Sequence, residues 1–255
     1  MLKITASSDL TFDVMNKQIR ESDEKHIKIS HAAGQRYIGA GLAGRKIEID
    51  GTPGNALGAY LDGSTITVEG NVQDATGDTM NGGEIVVHGN AGDATGYAMR
   101  GGAIYIRGNT GYRAGIHMKA YKTQQPAVVV GGKAGSFLGE YQAGGTLIVL
   151  DLEPPVKING ETVAGAPMLR GITGDFVGTG MHGGAIYLRT NKAPDLPKQI
   201  RVEMKKGNDI PEIKTYITKF CDYFTDVNKD TILSSVFAVL TPDTNNPYKQ
   251  LYTSN

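Results

Sequence analysis

The sequence predicts an all-β protein: a single-stranded right-handed parallel β-helix of about seven coils, with a short α/β lead and a helical C-terminal tail. Three observations carry this prediction. Glycine supplies 35 of the 255 residues, close to double its usual share, and every glycine except Gly34 and Gly207 falls within residues 39–190. These glycines recur: Gly51, Gly70, Gly89 and Gly108 stand 19 residues apart, as do Gly39, Gly58, Gly77, Gly96 and Gly115, and Gly44, Gly63, Gly82 and Gly101. Apolar residues keep the same beat. Ile47, Ile66, Ile85, Ile104, Val128, Leu147 and Ile186 align, and two residues on stand Ile49, Val68, Val87, Ile106, Val130, Val149 and Leu188.

A period near 20 residues marks a solenoid, in which each copy buries its apolar face against its neighbours. Alternate residues of a strand share a face, so both columns point inward. A third column, Leu42, Leu61, Met80, Met99, Met118, Gln142 and Met181, also reads as interior. β-branched runs bounded by glycine, with no helical stretch inside the repeat, argue for parallel strands. The glycines supply corner conformations that a Cβ would resist. A left-handed β-helix would show hexapeptide spacing and a calcium-binding roll would show G-G-x-G-x-D; neither pattern occurs. The right hand follows the general crossover preference.

The elements follow in order. In the lead, residues 1–38, Phe12, Met15 and Ile19 share one face of a helix over about 11–21, and IKI at 27–29 reads as a strand. The lead caps the first coil, because an open solenoid end exposes unpaired backbone groups. The β-helix domain spans 39–190. After Gly115 the matching glycine is Gly139, a step of 24, so one coil carries a five-residue insertion around KAYKTQQP. The next match is Gly178, a step of 39, which is one coil plus an insertion at 152–170. Inside that insertion, VKINGETV places Asn159-Gly160 between short alternating runs, a hairpin signal. In the tail, 191–255, Ile213, Tyr216, Ile217, Phe220 and Phe224 form an amphipathic stripe after a helix start at 209–211. ILSSVFAVL at 232–240 reads as a second helix or a buried strand, and the polar end TPDTNNPYKQLYTSN as a loose end or a docking arm.

The residue between the two inward strand positions points outward. That column runs Glu48, Thr67, Val86, Tyr105, Val129, Ile148 and Tyr187, from polar to apolar. Five stacked apolar residues make a sizeable sticky patch, to be covered by this chain's own tail or by a partner subunit.

Lys plus Arg equals Asp plus Glu at 26 each, which leaves no nucleic-acid or polybasic membrane footprint. The single cysteine, Cys221, rules out a disulfide framework within the chain, fits a reducing compartment and cannot by itself ligate an Fe–S cluster, which takes several thiolates. MLKITASSDLTFD has no apolar signal region and no long apolar run occurs anywhere, so the expectation is a cytoplasmic protein with no membrane contact.

Signals for chemistry are sparse. Asp74, Asp93 and Asp175 recur at one corner, with Asn55, Tyr112 and Ser136 at the other aligned positions. Stacked carboxylates can bind a cation, but Asp and Asn beside Gly are ordinary corner residues that hydrogen-bond the backbone. No HxH or HExxH spacing joins His26, His31, His88, His117 and His182. Cys221 falls on or beside the apolar stripe, as a packed thiol does, and no G-x-x-x-x-G-K-[ST] loop is present. One coil breaks the pattern: YRAGIHMKAYKTQQP at 112–126 gathers Arg113, His117, Lys119, Tyr121 and Lys122. These five, with Tyr105 and Tyr187 of the outward column, are the candidate partner contacts; the plainer reading of the same coil is a solvated bulge.

GQRYIGAGL at 34–42, GTPGN at 51–55, and the runs GDTMNGGEIVVHG, GDATGYAMRGGAIYIRG, GYRAGIHMK and GEYQAGGTLIVL resemble the GXGXG domain at the C-terminus of the glutamate synthase large subunit, in its stand-alone form. The resemblance covers about residues 10–190. One subunit of formylmethanofuran dehydrogenase shares the same repeats. The resemblance implies a right-handed β-helix with a structural role, packed between a glutaminase-type amidotransferase subunit and an FMN-binding synthase subunit that together turn glutamine and 2-oxoglutarate into two glutamates. It implies no catalytic, cofactor-binding or metal residues in this chain, and no activity of the chain alone. The family's amidotransferase nucleophile is an N-terminal cysteine, whereas this chain starts MLK, and FMN and Fe–S are expected in a partner subunit. Two rivals stand beside this reading. One is the scaffold subunit of another oxidoreductase, such as formylmethanofuran dehydrogenase or N-methylglutamate synthase. The other is an independent β-helix enzyme acting on carbohydrate, which would need a carboxylate or basic cluster in a groove.

Overall fold

The structure, a computed structural model, describes residues 1–7, 9–152, 155–158, 161–164 and 171–243. The chain opens with β1 (Leu2–Thr5), α1 (Phe12–Glu21) and β2 (His26–Ala33). The repeats contribute β3 (Lys46–Thr52), β4 (Thr65–Val68), β5 (Glu84–Val87), β6 (Ala103–Ile106), β7 (Ala127–Val130) and β8 (Ala143–Val149). Then come β9 (Pro155–Ile158), β10 (Glu161–Ala164), β11 (Gly183–Leu188) and β12 (Ile200–Lys206). A 3₁₀ turn, α2 (Pro211–Tyr223), α3 (Lys229–Ser234) and β13 (Val236–Pro242) follow.

The expected fold class is corrected by the sheet topology. The strands lie in one open sheet of eleven, ordered β1-β2-β3-β4-β5-β6-β7-β8-β11-β13-β12, mostly parallel and flanked by a few helices. This is an α/β-type sheet, not an all-β right-handed parallel β-helix. The physical reason lies in the repeat. Each copy holds one β-branched run, and therefore one strand. The rest of the copy is an arc of turns in which every second residue adopts left-handed backbone, as at Ala94 (φ 53°), Gly96 (φ 72°) and Ala98 (φ 50°). A chain in that conformation adds no second strand to close the structure.

The register of the sheet follows the 19-residue beat. Ile47 pairs with Ile66, Ile66 with Ile85, Ile85 with Ile104, and the column continues through Val128 and Leu147 to Ile186. β2 joins the same column, with Ile27 opposite Ile47, and β1, unread in the sequence, adds Leu2 opposite Ile27. The inner face of the sheet, the arcs and α1 enclose one core. It holds both inward strand columns, the methionines Met80, Met99, Met118 and Met181, and Met15 and Ile19 of the helix. Asn16 of α1 donates from Nδ2 to the carbonyls of Phe12 and Arg36, both at 2.8 Å, which ties the helix to the first arc.

Two polar ladders lock the repeats together. Asn71, Asn90 and Asn109 each accept, through Oδ1, the backbone N–H of the residue that follows the next copy's corner glycine, at 2.8, 2.8 and 2.7 Å. Asp74 and Asp93 do the same for the N–H groups of Asp93 (2.9 Å) and Tyr112 (2.8 Å), and Ser136 Oγ accepts from Asp175 (3.0 Å). The adjoining glycine must lack a Cβ: at Gly111 it would lie 2.0 Å from Asp93 Oδ1, and at Gly132 2.2 Å from Asn109 Oδ1.

The tail is not purely helical. It returns to the sheet as β13, antiparallel to β11, and β12 pairs along β13 to form the last edge. Residues 232–240 thus divide between the end of α3 and β13. The edge strand carries Arg201, Glu203, Lys205 and Lys206, all exposed or nearly so, and charges of this kind discourage further strand pairing. β9 and β10 pair antiparallel, Glu161 opposite Ile158; the Asn159-Gly160 turn expected between them, and the polar end beyond Asp243, lie outside the described residues. Among the described residues no helix is long and apolar enough to cross a membrane.

The outward apolar column is covered by the chain's own tail. Val86, Tyr105, Val129, Ile148 and Tyr187 pack with Ile213, Ile217, Phe220 and Phe224 of the α2 region and with Ile232, Leu233 and Phe237. Polar clasps frame this second core. Lys219 Nζ and Tyr223 Oη both donate to the Glu84 carboxylate, and the buried Arg107 forks onto Asp226, Nε at 3.0 Å and Nη2 at 2.6 Å to Oδ2. Burial pushes the phenol of Tyr187 up to about 12 and those of Tyr105, Tyr216 and Tyr223 upward as well. A phenol held neutral in the fold stabilises it below the unfolded-state pKa of about 10, and that stability is lost as pH rises through the folded value. Melting temperature is therefore expected to fall steeply between about pH 10 and 12, in step with tyrosinate absorbance; a flat profile there would contradict the covered column.

Candidate functional site

The arcs present a surface opposite the strands, and the repeat decides what stands on it. Side chains at the left-handed positions of successive arcs lie beside one another. At one such position stand Arg113, Phe137 and Phe176, and four residues further on stand His117 and Tyr141. The non-glycine left-handed residues here are strained individually. The stacking of copies holds them in place, since Arg113, His117, Phe137 and Tyr141 each donate their backbone N–H to the next copy, at 2.8–2.9 Å.

Two stacks result. The His117 ring lies against Tyr141, with centroids 5.2 Å apart and planes 11° from parallel, and meets Tyr97 edge-on at 5.9 Å. Beside it Phe137 stacks on Phe176 at 4.9 Å, and the Arg113 guanidinium sits 4.6 Å above the Phe137 ring while its Nε donates to Glu140 at 3.1 Å. Phe176 is 59% exposed and Tyr97 39%, so the surface is apolar, aromatic and open. Gly180 makes room for it: a Cβ there would lie 2.4 Å from the Tyr141 ring. A rigid aromatic ridge with an arginine held over it is the composition that protein interfaces favour at their centres.

Of the residues singled out from the sequence, Arg113 and His117 stand on this ridge. Lys119, Tyr121 and Lys122 are exposed in the adjoining inserted turn, closed by mutual backbone hydrogen bonds between Tyr121 and Gln124 at 3.1 and 2.9 Å. Lys122 Nζ lies 5.2 Å from the Tyr121 ring centroid. Tyr105 and Tyr187 are placed differently. They are 1% and 5% exposed beneath the tail, so they are not surface contacts of this chain; the same apolar column that suggested a partner binds α2 instead. Tyr97, Phe137, Glu140, Tyr141 and Phe176 were not read from the sequence. Their signal was the alignment of non-glycine residues at arc positions, which matters once the arc is known to face outward.

The corner carboxylates Asp74 and Asp93 are occupied with backbone N–H groups, as the ordinary corner reading expects. Among the described residues no group of three or more His, Cys, Asp or Glu is placed to hold a metal ion. Cys221 is a free thiol with its pKa raised by burial, aided by Asp222.

The GXGXG motif family model matches residues 9–242. The uncharacterized protein MJ1350 of Methanocaldococcus jannaschii is 40% identical over 258 residues, covering 97% of this chain and 95% of its own length. A chain of the formyltransferase/hydrolase complex FhcABCD from Methylorubrum extorquens, solved in complex with methylofuran, superposes with a TM-score of 0.61 at 19% identity. That superposition covers 87% of this chain and 75% of the other, and it is a likeness of fold. With the motif running through nearly its whole length, from the lead to the last strand, this chain belongs to the GXGXG motif family.

Proposed function

We propose that the chain is a non-catalytic structural subunit of a multisubunit complex of the glutamate synthase type. In it the chain orients a glutaminase-type amidotransferase subunit and an FMN-binding synthase subunit, and the flavin and Fe–S cluster belong to the partners. The observation that carries this reading is the family match over residues 9–242. Two features of the fold support it. The corner Asn, Asp and Ser side chains form ladders that hold copies in register, and the ridge of Arg113, Tyr97, His117, Tyr141, Phe137 and Phe176, beside Lys119, Tyr121 and Lys122, has the aromatic and arginine composition that suits a docking surface.

Affinity purification of the tagged chain from its own cells, with mass spectrometry of the eluate, tests this. An amidotransferase and an FMN-binding synthase are expected to co-elute, and the double variant His117→Ala, Tyr141→Ala to weaken their retention about tenfold or more, as loss of central interface aromatics does. A lone chain in the eluate, or a stoichiometric flavin on the isolated chain, overturns the reading. The FhcABCD likeness favours a second reading, a structural subunit of a formyl-transferring complex; formyltransferase or formyl-hydrolase subunits in the same eluate would establish it in place of the first.

A further inference from the structure

A half-buried cation is costly unless an anion or several acceptors satisfy it. Arg189, the residue directly after β11, breaks that rule. It lines a cavity at the carboxyl end of the strand together with Thr190, Asn191, Ser234 and Ser235. Among the described residues its guanidinium makes one hydrogen bond, and a long one: Nη2 donates to the Asp151 carbonyl at 3.4 Å. The Asp151 carboxylate is engaged by Lys133 Nζ at 2.7 Å, and Lys133 also donates to the Gly171 carbonyl at 3.3 Å. Asp151 itself holds left-handed backbone (φ 50°) away from the repeating arc positions; its carbonyl accepts from Arg189, and its carboxylate acts on the guanidinium through space without a hydrogen bond to it. Burial draws the Arg189 pKa down, with Asp151 pulling it back up.

The surrounding groups sharpen the reading. Lys192 lines the adjoining groove that shares Thr190, with Asp195 as that groove's acidic member. Lys206 stands in register beside Val236 at the cavity wall. The hydroxyls are already donating: Thr190 to the Lys192 carbonyl at 3.1 Å, and Ser234 and Ser235 to the Thr231 carbonyl at 3.1 and 2.8 Å. Among the described lining residues, the side-chain donors not held at normal hydrogen-bond distance are those of Arg189 and Asn191. The cavity sits where the parallel run of strands ends and β13 enters antiparallel, between Arg189 after β11 and Val236 at the start of β13.

We propose that this cavity binds a small oxyanion, a carboxylate or a phosphate, through the paired N–H groups of Arg189. The planar guanidinium fork matches the two oxygens of either group. The proposal does not depend on which complex the chain joins.

The test follows the Arg189 Nε–Hε signal of the full chain in nitrogen-15 spectra. Inorganic phosphate, acetate and chloride are titrated separately at constant ionic strength. A saturable shift with phosphate or acetate, absent with chloride, is expected, and the stronger of the two names the ligand class. Arg189→Lys, which keeps the charge and loses the fork, is expected to weaken binding about tenfold or more, read by calorimetry or by neighbouring amide signals. A linear drift equal to that of chloride in the unmodified chain overturns the proposal, as does a folded Arg189→Lys protein that binds as well as the original.

Discussion

Replacing Phe220 with Ala is expected to lower stability by about 3–5 kcal/mol and to release the tail from the sheet. Phe220 is fully buried at the centre of the second core, with its ring 4.7 Å from that of Phe224. Its Cζ reaches the sheet so closely that a Cβ on Gly131 would lie 2.8 Å from it. On one side the cavity left by truncation is bounded by the backbone at Gly131, directly after β7, which cannot collapse to fill it. The phenols of Tyr105 and Tyr187 would regain water, and the Glu84 and Arg107 clasps would lose the packing that aligns them. Urea unfolding gives the size of the loss, and limited proteolysis shows whether the segment carrying α2 becomes cleavable. A loss below about 1 kcal/mol with an uncleaved tail would mean that the polar clasps, not the aromatic packing, hold the cover in place.

Gly83→Val is expected to be comparably damaging. Gly83 stands just before β5 at φ 89°, and a Cβ would lie 2.1 Å from the Ser64 carbonyl oxygen and 2.8 Å from the Ser64 nitrogen. Left-handed strain contributes about 1–3 kcal/mol, and forcing two strands apart adds about 1–3 kcal/mol more. Both obstructing atoms are backbone of the neighbouring copy, so no side chain can rotate away. Gly63→Val is the control, because Gly63 has the same φ of 89° with nothing within 4 Å; it should show the strain alone. Equal losses in the two variants, compared by thermal melting, would refute the close approach. The pair also explains the sequence. Positive φ falls on Gly63 in one copy and on Gly83, the second glycine of Gly82-Gly83, in the next, so the doubled glycine appears where the turn shifts by one residue.

Much of this was legible in the residues because it is local and periodic. The 19-residue beat, the two inward columns and the corner role of Asp74 and Asp93 follow from alternation along a strand and from what a Cβ can tolerate beside a neighbour, and copies of equal length must stack in equal register. The helix of the lead and the apolar stripe from Ile213 to Phe224 were equally readable, since each is a face repeated within one segment. Closure was not. Whether a copy holds one strand or several depends on φ along the arc, and residues such as Ala94, Ala98, Arg113 and His117 carry no compositional mark of the left-handed backbone they adopt. The return of the tail as β13 and β12 was hidden for another reason. Val236–Pro242 is an apolar run that suits helix or strand equally, and its partner, β11, lies far back along the chain. The same distance concealed the ridge: Tyr97, His117 and Tyr141 meet across copies, and Arg189 and Asp151 meet across an insertion. Contacts of that kind are set by the three-dimensional packing of segments, where the energy of each element depends on neighbours that its own sequence does not name.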